Sequence, residues 1–179
     1  MSEKQGFMDR LMPAFEEHGY LRTLAKGDYL VREGEVEKHL YLVSEGALRV
    51  IYVTGHDEHI IRFGYKGTVF NSLDSFLKGT PSEYFIEAIR KTTVRAITKD
   101  TLYRIVEQDL TSQRQYIALL ETLVVQQMER ELDLLTPSPL ERLARVQERS
   151  PHLFQEIPLK YIAAYLRMSP ETLSRIRNS

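Results

Sequence analysis

The chain has 179 residues, 42% of them hydrophobic and 27% charged, with a formal net charge of −1 at pH 7. These proportions are typical of a globular protein with a buried core, and the length allows one large domain or a medium domain plus a small one. The absence of cysteine excludes disulfides, thiol chemistry and iron–sulfur clusters held by cysteine. No apolar run could span a membrane and the first residues lack an apolar signal region, so the sequence predicts a cytoplasmic protein without a membrane partner.

Charge is unevenly distributed along the chain. Residues 137–179 contain seven Lys and Arg against four Glu, a balance of +3, so the rest of the chain carries −4. A basic end on an acidic body is typical of a nucleic-acid-binding module attached to a domain of another kind.

The first part of the chain changes from helix to strands. Residues 7–19 are predicted to form short helices, and from Leu21 to about Thr98 runs of β-branched and aromatic residues alternate with glycine-containing turns. Many short strands at this spacing predict an antiparallel sandwich or jelly roll. The predicted strands are residues 29–31, 40–43, 48–53, 60–63, 85–89 and 93–97.

Residues 68–82 interrupt these strands. Leu73, Phe76 and Leu77 have helical spacing, and a Gly-Thr-Pro turn follows them. A short helix between the strands of a β-roll directs its first backbone N–H groups outward, where they favour an anion. The sequence therefore predicts that a ligand site, if the chain has one, lies here.

One long helix is predicted from about Val106 to Leu135. Its apolar residues recur at steps of three to four: Ile117, Leu120, Val124, Met128, Leu132 and Leu135. The charged residues of this stretch are assigned to a solvated outer face: Glu129, Arg130, Glu131 and Asp133. The apolar seam could pack against the chain's own barrel or against the same helix of a second copy. We favour a homodimer, because the C-terminal pattern described below normally acts as a two-fold pair. The expected interface residues are Ile117, Leu120, Val124 and Met128.

Two prolines, Pro137 and Pro139, end the long helix, because neither fits a helix interior. Ser138 and Glu141 then form an S-x-x-E capping box, with Pro139 at the first helical position. A helix from Pro139 to about Arg149 is expected to follow. This boundary divides the predicted organisation into a β-roll effector domain (residues 1–105), a long dimerisation helix (106–136) and a C-terminal domain (137–179).

Residues 158–178 have the pattern of two short helices joined by a tight turn. The first helix has one buried face, formed by Leu159, Ile162, Ala163 and Leu166. Ser169 and Pro170 suit the N-cap and first position of the second helix, in which Leu173 and Ile176 face inward. The opposite face carries Glu171, Ser174, Arg175 and Asn178.

Such a pair indicates a helix-turn-helix, whose second helix enters the major groove of DNA. The alternative is an ordinary all-α domain, in which Glu171 and Arg175 form a plain i,i+4 ion pair.

The order of these parts resembles the Crp–Fnr superfamily of bacterial transcription regulators. The segments that carry the resemblance are KGDYLVREGE (residues 26–35), HLYLVSEGALRV (39–50) and YIAAYLRMSPETLSRIR (161–177). It covers nearly the whole chain and is closest to members found in Bacteroidetes-type bacteria. It implies an α+β fold with an antiparallel β jelly roll of the cyclic-nucleotide-binding type, a long dimerisation helix and a C-terminal (winged) helix-turn-helix.

The same resemblance implies a homodimer on a palindromic DNA site and no enzymatic activity. RNA polymerase and a small-molecule effector are the further partners that it suggests. Glu171, Ser174 and Arg175 match the family's E-x-x-S-R motif, in which a carboxylate accepts from cytosine and an arginine donates bidentately to guanine. The expected phosphate contacts come from Ser169, Thr172, Lys160 and Arg177.

Two positions depart from the family's pattern. Pro170 stands where many members have a basic residue, so the preferred half-site is expected to differ. Arg167 replaces a glycine that is normally left-handed, which implies either strain of roughly 1 kcal/mol or an added phosphate contact.

Members that bind cyclic nucleotides use a Gly-Glu pair at the start of the short helix for the ribose, and an Arg-Ser or Arg-Thr pair for the phosphate. Asn71-Ser72 and Ser82-Glu83 take these positions here. The glutamate that binds the ribose and the arginine that binds the phosphate are therefore both missing, and Glu83 would repel an anion. We predict weak or absent binding of cyclic AMP and cyclic GMP.

No cofactor is expected, since the five histidines lack a haem-ligand context. The pocket either takes an unknown effector or is filled by the protein's own side chains.

Two other functions are compatible with parts of the sequence. The segment from Gly55 to His59 contains possible metal ligands, as in a cupin enzyme, but its H-x-x-H spacing favours a solvated hairpin tip. The second is a ligand-binding sensor module of the same fold without DNA activity. Whether DNA binding depends on Arg175 separates that module from a regulator.

Overall fold

The computed structural model describes residues 3–177 as a β-roll, a long helix and a group of C-terminal helices. The roll begins with helix α1 (Glu3–His18), a single helix where short helices were predicted. Its strands are β1 (Tyr20–Leu24), β2 (Tyr29–Val31), β3 (His39–Glu45), β4 (Ala47–Thr54), β5 (Asp57–Tyr65), β6 (Val69–Phe70), β7 (Phe85–Ala88) and β8 (Thr92–Thr98). Helix α2 (Leu73–Lys78) lies between β6 and β7, which confirms the short helix expected there.

The strands form two four-stranded antiparallel sheets, in the orders β1-β8-β3-β6 and β2-β7-β4-β5. Their facing side chains alternate along each strand and enclose an apolar core that includes Val43, Leu48, Ile86 and Val94. The predicted antiparallel β-roll is therefore confirmed. The prediction omitted two strands, β1 with five residues and β6 with two. A strand of two residues gives no alternating pattern.

The predicted helix from Val106 is wrong at its start. Helix α3 (Lys99–Val106) ends there, and helix α4 (Leu110–Leu135) begins after a break. The carboxylate of Asp109 accepts a hydrogen bond from the backbone N–H of Ser112 at 2.7 Å. This N-cap satisfies a donor of the first turn and fixes the start of α4.

Helix α4 exposes most of its apolar seam. Ile117, Val124 and Met128 are more than half exposed, and so is Val125, which the predicted seam omitted. The assignment of all four charged residues to a solvated face is wrong: Arg130 is 8% exposed and Asp133 is fully buried. Both residues have polar partners on the C-terminal helices, which are described below.

The C-terminal helices are α5 (Pro139–Arg149), α6 (Leu153–Glu156), α7 (Leu159–Tyr165) and α8 (Pro170–Arg177). They pack against the roll. Ile60 and Phe63 of β5 share one apolar cluster with Val146, Ile162 and Leu173. The predicted boundary after residue 136 lies between α4 and α5, and Ser138 caps α5 by accepting from the N–H of Glu141 at 3.3 Å. Within residues 3–177, no helix is long and apolar enough to cross a membrane.

Candidate nucleic-acid interface and ligand site

The turn between α7 and α8 contains a residue in the left-handed region. Arg167 has φ +56°, which confirms the conformation predicted for this position. The N–H groups of Arg167 and Met168 donate to the carbonyls of Ala164 and Ala163 at 3.1 and 3.0 Å. These bonds use carbonyls that the end of α7 would otherwise leave without partners. The guanidinium of Arg167 lies 2.9 Å from Nδ1 of His59, on β5.

Helix α8 begins at the predicted cap. The Ser169 hydroxyl accepts from the N–H of Thr172 at 3.1 Å, and Pro170 occupies the first helical position, where no donor is needed. Leu173 is 1% exposed and fixes the inner face of α8 against the apolar cluster. Leu159, which was predicted to be buried on α7, is 40% exposed, because it lies in the first turn.

The outer face of α8 carries the predicted base-reading residues. Glu171, Ser174 and Arg175 are exposed together. No ion pair joins Glu171 to Arg175 in the described part of the chain. A hydrogen bond from its own backbone N–H lowers the pKa of Glu171, so the carboxylate stays ionised and available as an acceptor. Asn178, assigned to this face, lies outside the described residues.

The predicted phosphate contacts surround this face. Lys160 and Arg177 are exposed on α7 and α8, and Ser169 is exposed in the turn. Thr172 is half-buried, and its hydroxyl accepts from the Ser169 hydroxyl at 3.2 Å. With Pro170, which was also predicted to belong to the DNA-binding set, the structure brings all eight of these residues onto one helix pair and its turn.

The predicted effector residues lie at α2 and before β7. The hydroxyls of Ser72 and Ser82 are 2.8 Å apart, and the amide of Asn71 donates to the carbonyl of His39 at 3.3 Å. Glu83 is exposed, whereas the other three residues are buried. The first turn of α2 contains Asp74, and a carboxylate there opposes the binding of an anion at the helix N-terminus.

A buried carboxyl group that sequence reasoning missed lies beside this site. Glu37 is 4% exposed, and its Oε1 accepts from the His39 N–H at 2.8 Å and the Tyr41 hydroxyl at 3.2 Å. Its Oε2 has no hydrogen-bond partner among the described residues. Burial raises the pKa of Glu37.

The segment from Gly55 to His59 forms the tip of the β4–β5 hairpin. His59 is held by Thr54, whose hydroxyl is 2.6 Å from Nε2, and by Arg167 at the other ring nitrogen. No set of three potential metal ligands occurs in residues 3–177.

Helix α4 is joined to the C-terminal helices by charged side chains. The buried carboxylate of Asp133 accepts from Nε of Arg145 at 3.0 Å and also pairs with Arg149. Nη2 of Arg130 donates to the Tyr165 carbonyl at 2.5 Å, and its guanidinium lies 3.6 Å from the centre of the Tyr165 ring. The i,i+3 spacing of Arg130 and Asp133 could have suggested that both lie on one face of α4. The spacing of Arg142, Arg145 and Arg149 could likewise have suggested one basic face of α5.

Comparison with known proteins agrees with this fold. Residues 21–109 match the cyclic nucleotide-binding domain family, while no curated protein sequence matches the chain. The structure of FixK2 from Bradyrhizobium japonicum is 21% identical, with a TM-score of 0.74 over 89% of this chain and 83% of that one.

Two further structures are similar along most of their length. The catabolite activator protein of Thermus thermophilus is 22% identical, with a TM-score of 0.58 over 95% of this chain and 81% of that one. The c-di-GMP-responsive global regulator CLP of Xanthomonas campestris is 15% identical, with a TM-score of 0.63 over 97% of this chain and 90% of that one. These likenesses show a shared fold of β-roll, long helix and C-terminal helices.

Proposed function

We propose that this chain, whose residues 21–109 match the cyclic nucleotide-binding domain family, is a sequence-specific DNA-binding transcription regulator of the Crp–Fnr type without enzymatic activity. The observation that carries the proposal is the exposed face of α8, with Glu171, Ser174 and Arg175 presented together. On the second helix of such a pair, an exposed carboxylate can accept from a donor on a base edge in the major groove, and an exposed guanidinium can donate to base acceptors there. FixK2, the Thermus activator and CLP support the assignment by their shared fold.

The regulator acts as a homodimer on a palindromic site. Ile117, Val124 and Met128 are each more than half exposed along α4, at the spacing of a two-stranded seam. A second copy of α4 would remove this apolar surface from water. Leu120 is half-buried and faces the roll, so we assign it a smaller share of the interface than the other three. RNA polymerase becomes a partner if the protein activates transcription.

The β-roll binds cyclic AMP weakly or not at all, and no cofactor is required. The mutual hydrogen bond of Ser72 and Ser82 and the carboxylate of Asp74 support this proposal. The pair offers a nucleotide phosphate no cation, and the carboxylate opposes an anion at the start of α2. The relationship to members from Bacteroidetes-type bacteria stays a prediction.

The first experiment is selection of purified protein on random duplex DNA at two salt concentrations, without added effector. We expect a two-fold symmetric site with half-sites about 34–36 Å apart, or a multiple of that distance, and binding that weakens steeply with salt. The Arg175→Ala variant is selected in parallel. If both proteins recover the same sequences, Arg175 does not read bases. If neither recovers any, the sensor module without DNA activity is the better description.

The dimer is tested separately by sedimentation equilibrium. Val124→Glu places a charge in the proposed seam and should shift the mass from twice 20.9 kDa to that of one chain. Gln113→Glu changes an exposed position near the start of α4 and serves as the matched control. A wild-type protein that sediments as one chain would contradict the dimer.

A further inference from the structure

A hydrogen bond joins the β4–β5 hairpin of the roll to the turn of the helix pair. The guanidinium of Arg167 lies 2.9 Å from Nδ1 of His59, and Nε2 of the same ring lies 2.6 Å from the Thr54 hydroxyl. Arg167 comes two residues before Ser169, which caps α8 and is a predicted phosphate contact. The hairpin therefore holds a cation that adjoins the proposed DNA-binding face.

This geometry requires a neutral imidazole ring. A guanidinium donates hydrogen bonds and accepts none, so Nδ1 of His59 must be the acceptor. The single ring proton then lies on Nε2 and is donated to the hydroxyl of Thr54. Protonation of Nδ1 would turn the acceptor into a donor and place two positive charges at hydrogen-bond distance. His59 therefore holds Arg167 only while its ring is neutral.

Positive charge surrounds this contact on the side of the helices. Arg130 of α4 donates to the carbonyl of Ile60, the residue after His59, at 3.5 Å. Arg142 of α5 donates to the carbonyl of Arg167 at 3.5 Å. A protonated His59 ring would therefore be repelled by cations of α4 and α5 as well as by the guanidinium that it contacts.

The hairpin itself carries two carboxylates, Asp57 and Glu58. Glu58 lies 2.9 Å from Arg49, and neither carboxylate forms an ion pair with Arg167 in the described part of the chain. Within residues 3–177, His59 is thus the side chain that holds the guanidinium of Arg167. The partner of this cation is a weak one that a proton removes.

The backbone of Arg167 also indicates a role for its side chain. Its φ of +56° lies in the left-handed region, where glycine carries no steric penalty and ends helices most often. A long cationic residue at such a position is uncommon, and strained positions of this kind cluster at functional sites.

We propose that His59 is a positioning residue for DNA recognition, which withholds Arg167 from the phosphate backbone while its ring is neutral. Protonation of His59 releases the guanidinium, which then donates to a phosphate beside α8. Histidine is the side chain whose charge ordinarily changes between about pH 5 and 8, so DNA affinity rises as the pH falls through this range. The phosphate contact rests on the proposed function, whereas the contact between His59 and Arg167 does not.

Two substitutions of His59 reproduce the two states. His59→Phe retains a ring but no acceptor, so Arg167 is released at every pH. His59→Asn retains an acceptor oxygen near the position of Nδ1 and cannot be protonated, so Arg167 stays held. At about pH 8, His59→Phe should bind the selected DNA site about three- to tenfold tighter than wild type, the range of one hydrogen bond. Its salt slope should be steeper by about one per subunit, and His59→Asn should bind no tighter than wild type.

Fluorescence anisotropy across the range from about pH 5 to 8 measures these affinities. The ratio of affinities between His59→Phe and wild type should fall towards one as the His59 ring becomes charged, and the titration of other groups cancels in this ratio. His59→Asn should not show this convergence. His56→Gln removes an exposed histidine of the same hairpin and, as the matched control, should behave like wild type at every pH. In an Arg167→Met background, His59→Phe should change nothing.

The proposal is overturned if His59→Phe binds DNA no tighter than wild type at the alkaline end of the range. It is also overturned if the pH-dependent ratio persists in the Arg167→Met background, because His59 would then act on DNA by itself. The expected gain of affinity cannot arise from a loss of fold.

The contact itself is measured without DNA, by nuclear magnetic resonance of the histidine ring nitrogens. At the alkaline end, the His59 proton should lie on Nε2, and the Nδ1 resonance should shift in Arg167→Met. A proton on Nδ1, or an Nδ1 resonance that Arg167→Met leaves unchanged, would overturn the proposal. If the spectra are as expected but no variant binds DNA, the proposed function has failed while the contact between His59 and Arg167 stands.

Discussion

The hydroxyl groups of Ser72 and Ser82 lie 2.8 Å apart in the interior of the β-roll, and each residue is 2% exposed. Ser82 is held further by Tyr84, whose N–H donates to the Ser82 hydroxyl at 3.0 Å. Two neutral side chains thus satisfy each other at the positions where the sequence resemblance predicts that a nucleotide-binding member has a carboxylate and a guanidinium. The pair leaves no unsatisfied donor for a ligand to use.

Cyclic AMP should therefore bind this protein no tighter than high-micromolar. A cyclic phosphate would have to break the Ser72–Ser82 hydrogen bond and approach the carboxylate of Asp74, without an arginine to offset either cost. Calorimetric titration with cyclic AMP and cyclic GMP measures this directly. Low-micromolar binding of either nucleotide would show that the prediction is wrong.

Arg175→Ala should weaken binding to the preferred DNA site by about 1–3 kcal/mol and relax the preference at one base position. Lys160→Ala is the matched comparison, because removing an interaction with phosphate should weaken binding to all sequences alike and reduce the salt slope by about one. Fluorescence anisotropy with the selected site and single-base variants measures both. Equal weakening on every sequence for Arg175→Ala would place that residue on the phosphate backbone.

Asp133→Asn should lower the free energy of unfolding by about 1–3 kcal/mol, because it removes the charge that pairs with Arg145 and Arg149 at a buried position. Glu129→Gln is the control, since its side chain is 40% exposed and 3.8 Å from Arg149, so its removal should cost less than about 1 kcal/mol. Urea denaturation followed by circular dichroism gives both values. Equal effects of the two substitutions would contradict the role of the buried pair.

Glu37→Gln should stabilise the protein at neutral pH. Burial raises the folded-state pKa of Glu37 above its ordinary value of 4.5, so the native state holds this proton more tightly than the unfolded state. The contribution of Glu37 to the free energy of unfolding is thus fully present below pH 4.5. It is lost as the pH rises through the raised pKa. The neutral amide does not titrate.

The difference in unfolding free energy between Glu37→Gln and wild type should therefore grow from acid to neutral pH. Urea denaturation at a series of pH values measures it, and titration of the other carboxyl groups cancels in the difference. A constant difference across the series would show that burial does not perturb Glu37.

The elements with local signals were predictable from the sequence. Alternating β-branched residues marked most strands, and Ser169 with Pro170 marked the start of α8. The break before α4 also had a local signal, the N-cap Asp109, but the apolar periodicity on both sides obscured it. Local capping and periodicity therefore account for the fold class and for the helix pair.

Buried charges were not predictable in the same way. Arg130 and Asp133 look solvated in sequence because their partners, Tyr165 and the arginines of α5, are distant along the chain. Glu37 is similar, since only the folded roll places the Tyr41 hydroxyl against its carboxylate. Sequence patterns report which faces are apolar, whereas the pairing of buried polar groups depends on tertiary contacts.

The apolar cluster shared by the roll and the C-terminal helices has a consequence for how the chain folds during synthesis. Ile60 and Phe63 leave the ribosome about a hundred residues before Ile162 and Leu173, which cover them. Until α7 and α8 emerge, the outer surface of β5 exposes both side chains to water and to other nascent chains. Completing the protein then closes this surface, so a truncation between the end of β8 and the start of α7 leaves an apolar patch exposed on an otherwise complete roll.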